Sequence, residues 1–336
     1  MAKITALMTT YNSAAHVSET IESILNQSYT DFEFLIIDDG SEDNTVSVIK
    51  SYKDSRIRLI ECSDNQGVGA RLSQALNEVK TPYIAKVDSD DISHPERFEK
   101  QLNYLEQNSH LDIVKCYFEY FPDNDGVKES DRYKQFKETK EKEHNDIDTP
   151  ELIKEGLQRW CCVAHTTYFA KANIIKLVGY PKFRVGEDYS LFYNTIRKGY
   201  KIGCIPENLV GFRVSNFSTT TKENSSDNYA QALIEIKSDV VKRIKKINDG
   251  FWIYGTGGLG RGVCKVMIKK GYKIHGFLDC KKQKFIKIEN ETFAVESIYD
   301  VDVTGILIAA QPVRKKISKL LKDKGLTEWN DYIVVA

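Results

Sequence analysis

Five aspartates stand at two places where apolar runs stop. Phe34-Leu35-Ile36-Ile37 leads into Asp38-Asp39-Gly40-Ser41, and Tyr83 to Val87 leads into Asp88-Ser89-Asp90-Asp91. A third run, Ile4 to Met8, ends in Thr9-Thr10-Tyr11-Asn12. Carboxylates gathered so closely repel one another unless a cation or strong donors stand nearby. A hard divalent ion, Mg²⁺ or Mn²⁺, answers that need. It takes one or two protein carboxylates and completes its shell with water and substrate phosphate oxygens. Asp-x-Asp alone is a common surface triplet; at the end of one buried strand, with Asp38 and Asp39 at the end of another, it points to a site.

The elements that must position these residues alternate along the chain. Ile4–Met8, Phe32–Ile37, Ile57–Ile60 and Tyr83–Val87 read as strands, the second near-continuously apolar as for a strand buried on both faces. Between them lie helical patterns at 15–27, 45–52 and 69–79, the first with Val17, Ile21, Ile24 and Leu25 on one face. Strands separated by such helices imply right-handed crossovers, a mostly parallel α/β sheet, and ligands beyond the carboxyl ends of its strands. From Asp123 to Glu155 the sequence turns charged and loses its period, as a solvated insertion or helix would. Residues 227–248 read as one helix with Leu233, Ile236, Val240, Ile244 and Ile247 on one face, closed by Asp249-Gly250. The organisation expected is therefore 1–220 as one domain, 221–249 as a connecting helix and 250–336 as a second domain.

Composition narrows the function classes. The 336 residues balance 48 Lys and Arg against 48 Asp and Glu, which leaves no global field for nucleic acid. Seven scattered cysteines without a C-x-x-C pair read as reduced thiols of a cytoplasmic protein. No stretch approaches the roughly 20 apolar residues of a membrane span.

Taken in order, Thr9-Thr10-Tyr11-Asn12, Asp38-Asp39-Gly40-Ser41-x-Asp43-x-Thr45, Asn65-x-Gly67-x-Gly69-Ala70-Arg71 and Asp88-Ser89-Asp90-Asp91 resemble the motifs of family 2 glycosyltransferases. His165-Thr166-Thr167, Gly186-Glu187-Asp188 and Phe212-Arg213-Val214-Ser215 continue the resemblance to about residue 220. It implies a GT-A fold, a nucleoside diphosphate sugar donor (a UDP-sugar in the first instance) and inversion at the anomeric carbon. Tyr11 would stack on the base, with Thr9 beside it, Asp39 would hydrogen-bond the base, and Arg71 would sit near base or phosphate. Asp88 would approach the ribose, Asp90 would bind the metal, and Asp188 would be the general base on the acceptor. Trp160, His165, Glu187 and Arg213 would contact acceptor or diphosphate. Acidic residues also favour a helix's first turn, which alone would account for Glu187-Asp188; Trp160 and His165 are equally at home in a core. Ser215 stands where the family often places a histidine ligand, and serine is a poor substitute for imidazole. The acceptor implied is a glycan or lipid-linked glycan of a cell-surface polysaccharide. Such an acceptor would bring the chain to the inner face of the membrane by peripheral association. A sensor or scaffold that binds nucleotide sugars with little turnover is the alternative reading.

Past residue 249 a second pattern begins. Phe251–Tyr254 reads as a strand, Gly255-Thr256-Gly257-Gly258-Leu259-Gly260 follows, then a helix from Arg261, then a strand at 272–278 ending in Asp279. Strand, G-x-G-x-x-G, helix and a later acid form the dinucleotide fingerprint, in which glycines let a phosphate approach the helix N-terminus. The segment resembles small Rossmann-like nucleotide-sugar-binding domains, which makes Gly255, Gly257, Gly260 and Asp279 a candidate second nucleotide site. Packing, dimerisation or acceptor docking would use the same module without a nucleotide.

Overall fold

The computed structural model describes residues 2–216, 226–280 and 284–336. The chain folds as two compact units, Met1–Ser218 and Thr219–Ala336. The boundary read from sequence at 220/221 lies outside the described residues.

The first unit is built on eight strands: β1 (Ile4–Thr10), β2 (Phe32–Asp38), β3 (Ile57–Glu61), β4 (Tyr83–Asp88), β5 (Ile92–Ser93), β6 (Ile113–Pro122), β7 (Phe169–Lys171) and β8 (Ile202–Val214). Their order in the sheet is β3-β2-β1-β4-β7-β6-β8-β5. β1 pairs in parallel with both β2 and β4, while β7 runs antiparallel to β4 and β6. The strand order turns back on itself at β1 and β4, the topological switch point at which such sheets bind ligands. Helices α1 (Val17–Leu25), α2 (Thr45–Ser51), α3 (Val68–Glu78) and α4 (Arg97–Gln107) provide the early crossovers. Ile4, Ala6 and Met8 alternate along β1 into one core with Val17, Ile21 and Ile24 of α1 and Phe98, Leu102 and Leu105 of α4. The mostly parallel α/β sheet expected from the sequence is thus present, with the antiparallel β7 set into it.

The charged stretch after β6 is ordered rather than a plain solvated insertion. Short helices at Asp125–Lys128, Asp131–Gln135 and Glu141–Asn145 flank a π-helical turn at Phe136–Lys140. Val127 is buried in the sheet's core, and the Glu141 carboxylate accepts the Tyr120 amide at 2.7 Å. A few apolar anchors and one carboxylate fix a segment too sparsely apolar to show a period.

The second unit carries six strands: β9 (Phe251–Tyr254), β10 (Ile274–Asp279), β11 (Phe285–Ile288), β12 (Glu291–Ser297), β13 (Ile306–Ile308) and β14 (Tyr332–Val334), in the order β11-β12-β10-β9-β13-β14. All pairs are parallel except the β11–β12 hairpin. The single helix expected at 227–248 is two, Ser226–Ile236 and Ser238–Ile247. Lys237 breaks it: fully buried, its ammonium donates to the carbonyls of Val334 (2.5 Å) and Val335 (3.2 Å). Ile247, placed by periodicity on the buried face, is 61% exposed. Both helices belong to the second unit rather than to a free-standing connection.

Candidate active site

Strand register brings three of the sequence motifs to one edge. Thr10 lies beside Asp38 across β1–β2, and Thr9 beside Asp88 across β1–β4. Beyond the strand ends the loops are tied together. Asn12 donates its amide to Ser41 Oγ (2.9 Å) and accepts the Glu42 amide on its side chain (2.8 Å). Ser13 Oγ meets Ser89 Oγ at 2.9 Å. These ties leave the Tyr11 ring 42% exposed above the edge, open to a stacking partner.

Each of the five aspartates has a different electrostatic fate. Asp38 accepts the Ser41 amide (2.8 Å) and hydroxyl (2.5 Å) and so closes its own turn. Asp39 is buried and accepts the amides of Gln66 (2.9 Å) and Gly67 (2.8 Å) together with Arg71 Nε (2.5 Å). Asp88 pairs with the wholly buried Lys86, its neighbour on the same face of β4. Burial opposes its charge, but Lys86, with Arg97 further off, holds the carboxyl below the usual range. Asp91 takes the Arg213 amide on one oxygen (2.9 Å) and has no partner for the other. Burial first, then Asp90 and Asp88, raise it well above a normal carboxylate. Asp90 remains. Its backbone carbonyl accepts Arg213 Nε at 2.8 Å, and among the described residues no other residue donates a hydrogen bond to its half-buried carboxylate, which Arg213 and Lys86 attract from further off. Burial and the neighbouring Asp88 push it up to about 6.

Arg71 is therefore not turned toward open space. It is buried, bridging Asp39, Gln74 Oε1 (2.9 Å) and Asp64 Oδ1 (2.9 Å), and it shapes the loop that carries Asp39. Arg213 is buried as well. It donates to Glu19 (2.6 Å), lies 3.6 Å from Asp123 and stacks 4.6 Å over the Phe121 ring. Ser215 is buried, with its carbonyl accepting Arg132 Nη1 at 3.1 Å.

The second carboxylate pair sits at the start of the helix Glu187–Arg197. Gly186 caps it at φ +81°, a left-handed conformation that favours glycine. Asp188 Oδ1 accepts the Tyr189 amide (2.6 Å), and Oδ2 lies 3.6 Å from Cys161 Sγ. Burial raises the Asp188 pKa, and burial with Asp188 as neighbour raises Glu187 well above normal. The Cys161 thiol is pushed far up by the same burial and by Asp188, which keeps it a donor. His165 is buried, bonded to Tyr180 Oη at 2.8 Å and 3.9 Å from Glu187. Burial, then Lys86, lower its pKa to about 3, so it is neutral. Trp160 is half-buried with its ring edge-on to His144 at 4.8 Å.

In the second unit, Gly255 has φ +110°, and a Cβ on Gly260 would lie 1.9 Å from the Gly255 carbonyl, so both glycines are required by the turn itself. Gly257 faces open space. Asp279 Oδ2 accepts the Thr256 amide (3.1 Å) and hydroxyl (2.7 Å), so the acid closes the loop from within.

Sequence reasoning passed over Lys86, Arg97, Cys161, Tyr180 and Arg184. The first had a signal: a lysine two residues before an aspartate in a buried strand shares its face. Arg97 is entirely buried and bonded to Gln101, Ser93 and the Lys86 carbonyl, and its charge is felt by Asp88 and Asp91.

A sheet in this order, with carboxylates at its switch point, is that of the GT-A glycosyltransferases. Staphylococcus aureus TarS 1–349, solved with UDP-GlcNAc, superposes with a TM-score of 0.56 at 19% identity, over 71% of this chain and 66% of that one. The mannosyltransferase PcManGT of Pyrobaculum calidifontis, solved with GDP-Man and Mn²⁺, gives 0.54 at 16%, over 71% and 64%. Residues 5–169 match the model of glycosyl transferase family 2. An uncharacterised glycosyltransferase of Methanocaldococcus jannaschii is 34% identical over 222 residues, 63% of this chain and 71% of that protein. The O-antigen biosynthesis glycosyltransferase WbnJ of Escherichia coli is 32% identical over 64% of this chain and 81% of its own length. The UDP-Glc:alpha-D-GlcNAc-diphosphoundecaprenol beta-1,3-glucosyltransferase WfaP of E. coli is 28% identical over 60% and 73%. The chain belongs to glycosyl transferase family 2 and is a glycosyltransferase.

Proposed function

We propose that this chain transfers a sugar from a nucleoside diphosphate sugar, a UDP-sugar, to a glycan or lipid-linked glycan acceptor by metal-assisted inverting displacement. Its setting is surface polysaccharide synthesis at the cytoplasmic face of a membrane. The observation that carries the reading is the isolation of Asp90. Of the five clustered aspartates, Asp38, Asp39, Asp88 and Asp91 each accept a hydrogen bond from another residue, and among the described residues the Asp90 carboxylate accepts none and is left for an outside cation. The residues fit a hard divalent ion. No group of three or more His, Cys, Asp or Glu side chains among the described residues is gathered to hold one. Asp90 would therefore hold the ion together with diphosphate oxygens, the sharing that Mg²⁺ and Mn²⁺ prefer. Bound there, the ion supplies Lewis-acid neutralisation of the leaving diphosphate.

The chain's own residues do the rest. Tyr11 offers its exposed ring to the base, and Thr9 and Asp88 flank the ribose. Asp39, held by Arg71, fixes the loop against which the base hydrogen-bonds. Asp188 accepts the acceptor hydroxyl's proton; burial raises its pKa, which makes it a stronger base than a free carboxylate. The same reading draws on one relative, WfaP, whose name specifies UDP-Glc and an alpha-D-GlcNAc-diphosphoundecaprenol acceptor. Among the described residues no helix is long and apolar enough to cross a membrane; the attachment proposed is peripheral.

The test is thermal stability against UDP-, GDP-, CMP- and dTDP-sugars, each with and without Mn²⁺. A ligand at 100 times its Kd adds about 2.7 kcal/mol. Mn²⁺-dependent stabilisation by UDP-sugars that is lost in Asp90→Ala supports the reading. Stabilisation that ignores metal, or survives Asp90→Ala with metal present, removes Asp90 from this role.

A further inference from the structure

The second unit has a cavity of about 570 Å³ whose lining includes Trp252, His275, Asp249, Asp302, Thr304 and Lys324. It lies at the amino ends of β9, β10 and β13, the opposite edge of the sheet from the Gly255–Gly260 loop. The volume falls within the roughly 300–1,000 Å³ of small-molecule sites.

Two glycines pack against its two rings, and one of them, Gly250, lines it. A Cβ on Gly276 would come within 2.9 Å of the Trp252 ring, and one on Gly250 within 2.7 Å of His275 Nε2. Each ring thus leans over a glycine of the neighbouring strand or its lead-in. The rings are 5.9 Å apart and tilted by 32°, both half-buried. Around this step stand groups that make hydrogen bonds. Thr304 Oγ1 donates to Asn248 Oδ1 at 2.6 Å, Asp249 is paired with Lys273, and Lys324 Nζ donates to the Val301 carbonyl at 2.9 Å. Among the described residues Asp302 and the His275 ring nitrogens have no polar partner.

The chemistry of the ligand follows. Asp249 and Asp302 offset Lys273 and Lys324, so the cavity has no net positive charge with which to hold a diphosphate. Aromatic faces with hydroxyl, amide and carboxylate groups at the rim suit a neutral polyhydroxyl ring. Its apolar C–H face packs on the aromatic surface while its hydroxyls meet the rim. We propose that this cavity is a second glycan-binding site, which takes neutral pyranose residues of an oligosaccharide through Trp252 and His275, with Asp302 and Thr304 bonding their hydroxyls. The choice of a glycan rests on the chain's being a glycosyltransferase, and no role of Asp188 or Asp90 enters it.

Saturation-transfer NMR on the full chain tests this with cellotetraose, maltotetraose, chitotetraose and, for comparison, UMP. Transfer to at least one tetrasaccharide should fall at least threefold in both Asp302→Ala and Trp252→Phe and vanish in Trp252→Ala, with transfer to UMP unchanged. Should Trp252→Ala fail to fold, Asp302→Ala, an exposed-residue change, carries the decision. Oligosaccharide transfer that is absent, or indifferent to these variants, overturns the proposal. A UMP signal that depends on Trp252 overturns it in favour of a nucleotide. Asp188→Asn should keep the Trp252-dependent signal, so loss of the Asp188 reading and loss of this one are separable.

Discussion

Replacing Asp90 with asparagine should make the metal-free protein more stable at pH 7.5. In the folded chain this carboxyl titrates at about 6 against an ordinary value of 3.8. Below about pH 4 the folded and unfolded chains both hold the proton, and the group contributes nothing. Between about 4 and 6 the unfolded chain releases it first, so stability falls as pH rises, and above 6 the full cost is in place. A shift of about two units corresponds to roughly 3 kcal/mol. That is a ceiling, since solvent reaches the half-buried carboxylate and its neighbours relax. For a unit the size of Met1–Ser218 each kcal/mol moves Tm by about 2–4 °C. The variant should therefore melt roughly 3–10 °C above the parent at pH 7.5 in EDTA, with the gap closing by pH 4. In Mn²⁺ with donor the order should reverse, because the parent then gains binding energy that the variant lacks. A thermal scan of both proteins across pH 4–8 decides it. A difference that is negative at pH 7.5, or that does not change with pH, would refute the assignment of Asp90 as a carboxylate whose burial and like-charged neighbour outweigh its partners.

Asp188→Asn should leave donor affinity nearly intact and lower turnover by at least about 10²; single-turnover rates with a saturating donor read this directly. Because burial raises the pKa of Asp188, the acid limb of kcat/KM should lie above the 3.8 of an ordinary aspartate, activity falling as the base takes up its proton. Arg71→Met strips a buried partner from Asp39 and should cost about 3–5 kcal/mol, seen as a Tm drop of several degrees together with weaker donor binding. Gly69→Ala would place a methyl 2.4 Å from the Pro181 carbonyl and 2.5 Å from that of Phe183. It should cost about 1–3 kcal/mol, and a Tm within a degree of the parent would show that the loop yields freely.

The strands that deliver the aspartates were legible because β1, β2 and β4 are buried on both faces and stop at polar clusters. β6 and β8 were not. Lys115 and Glu119 interrupt the first; Pro206 and the exposed Glu207 interrupt the second, and their pairing slips register between Cys116 and Phe118. The helix break at Lys237 follows from carbonyls about a hundred residues onward, which no local window contains. In the site, residue types and order sufficed to gather the motifs, yet not to say which charges cancel. That Arg71 serves Asp39, that Lys86 serves Asp88 and that Cys161 lies against Asp188 are facts of tertiary distance. Only Lys86, two residues from its partner on a strand, left a trace in the sequence.

Residues 181–184 join two places that the chemistry keeps apart. Their backbone is seated on Gly69, and Arg184 grips Asn65 through its side-chain oxygen (3.0 Å) and its carbonyl (3.1 Å). Two residues later Gly186 opens the helix of Glu187 and Asp188. Whatever settles the loop of Asn65 and Gly69, proposed to hold the nucleotide, thereby also settles the start of the helix of Glu187 and Asp188, proposed to face the acceptor. Kinetically this amounts to a queue. The donor should enter first and the free nucleotide leave last, with the nucleotide product competing against donor alone in inhibition experiments. Cutting the grip with Arg184→Ala should loosen that order toward random entry before it costs any chemistry.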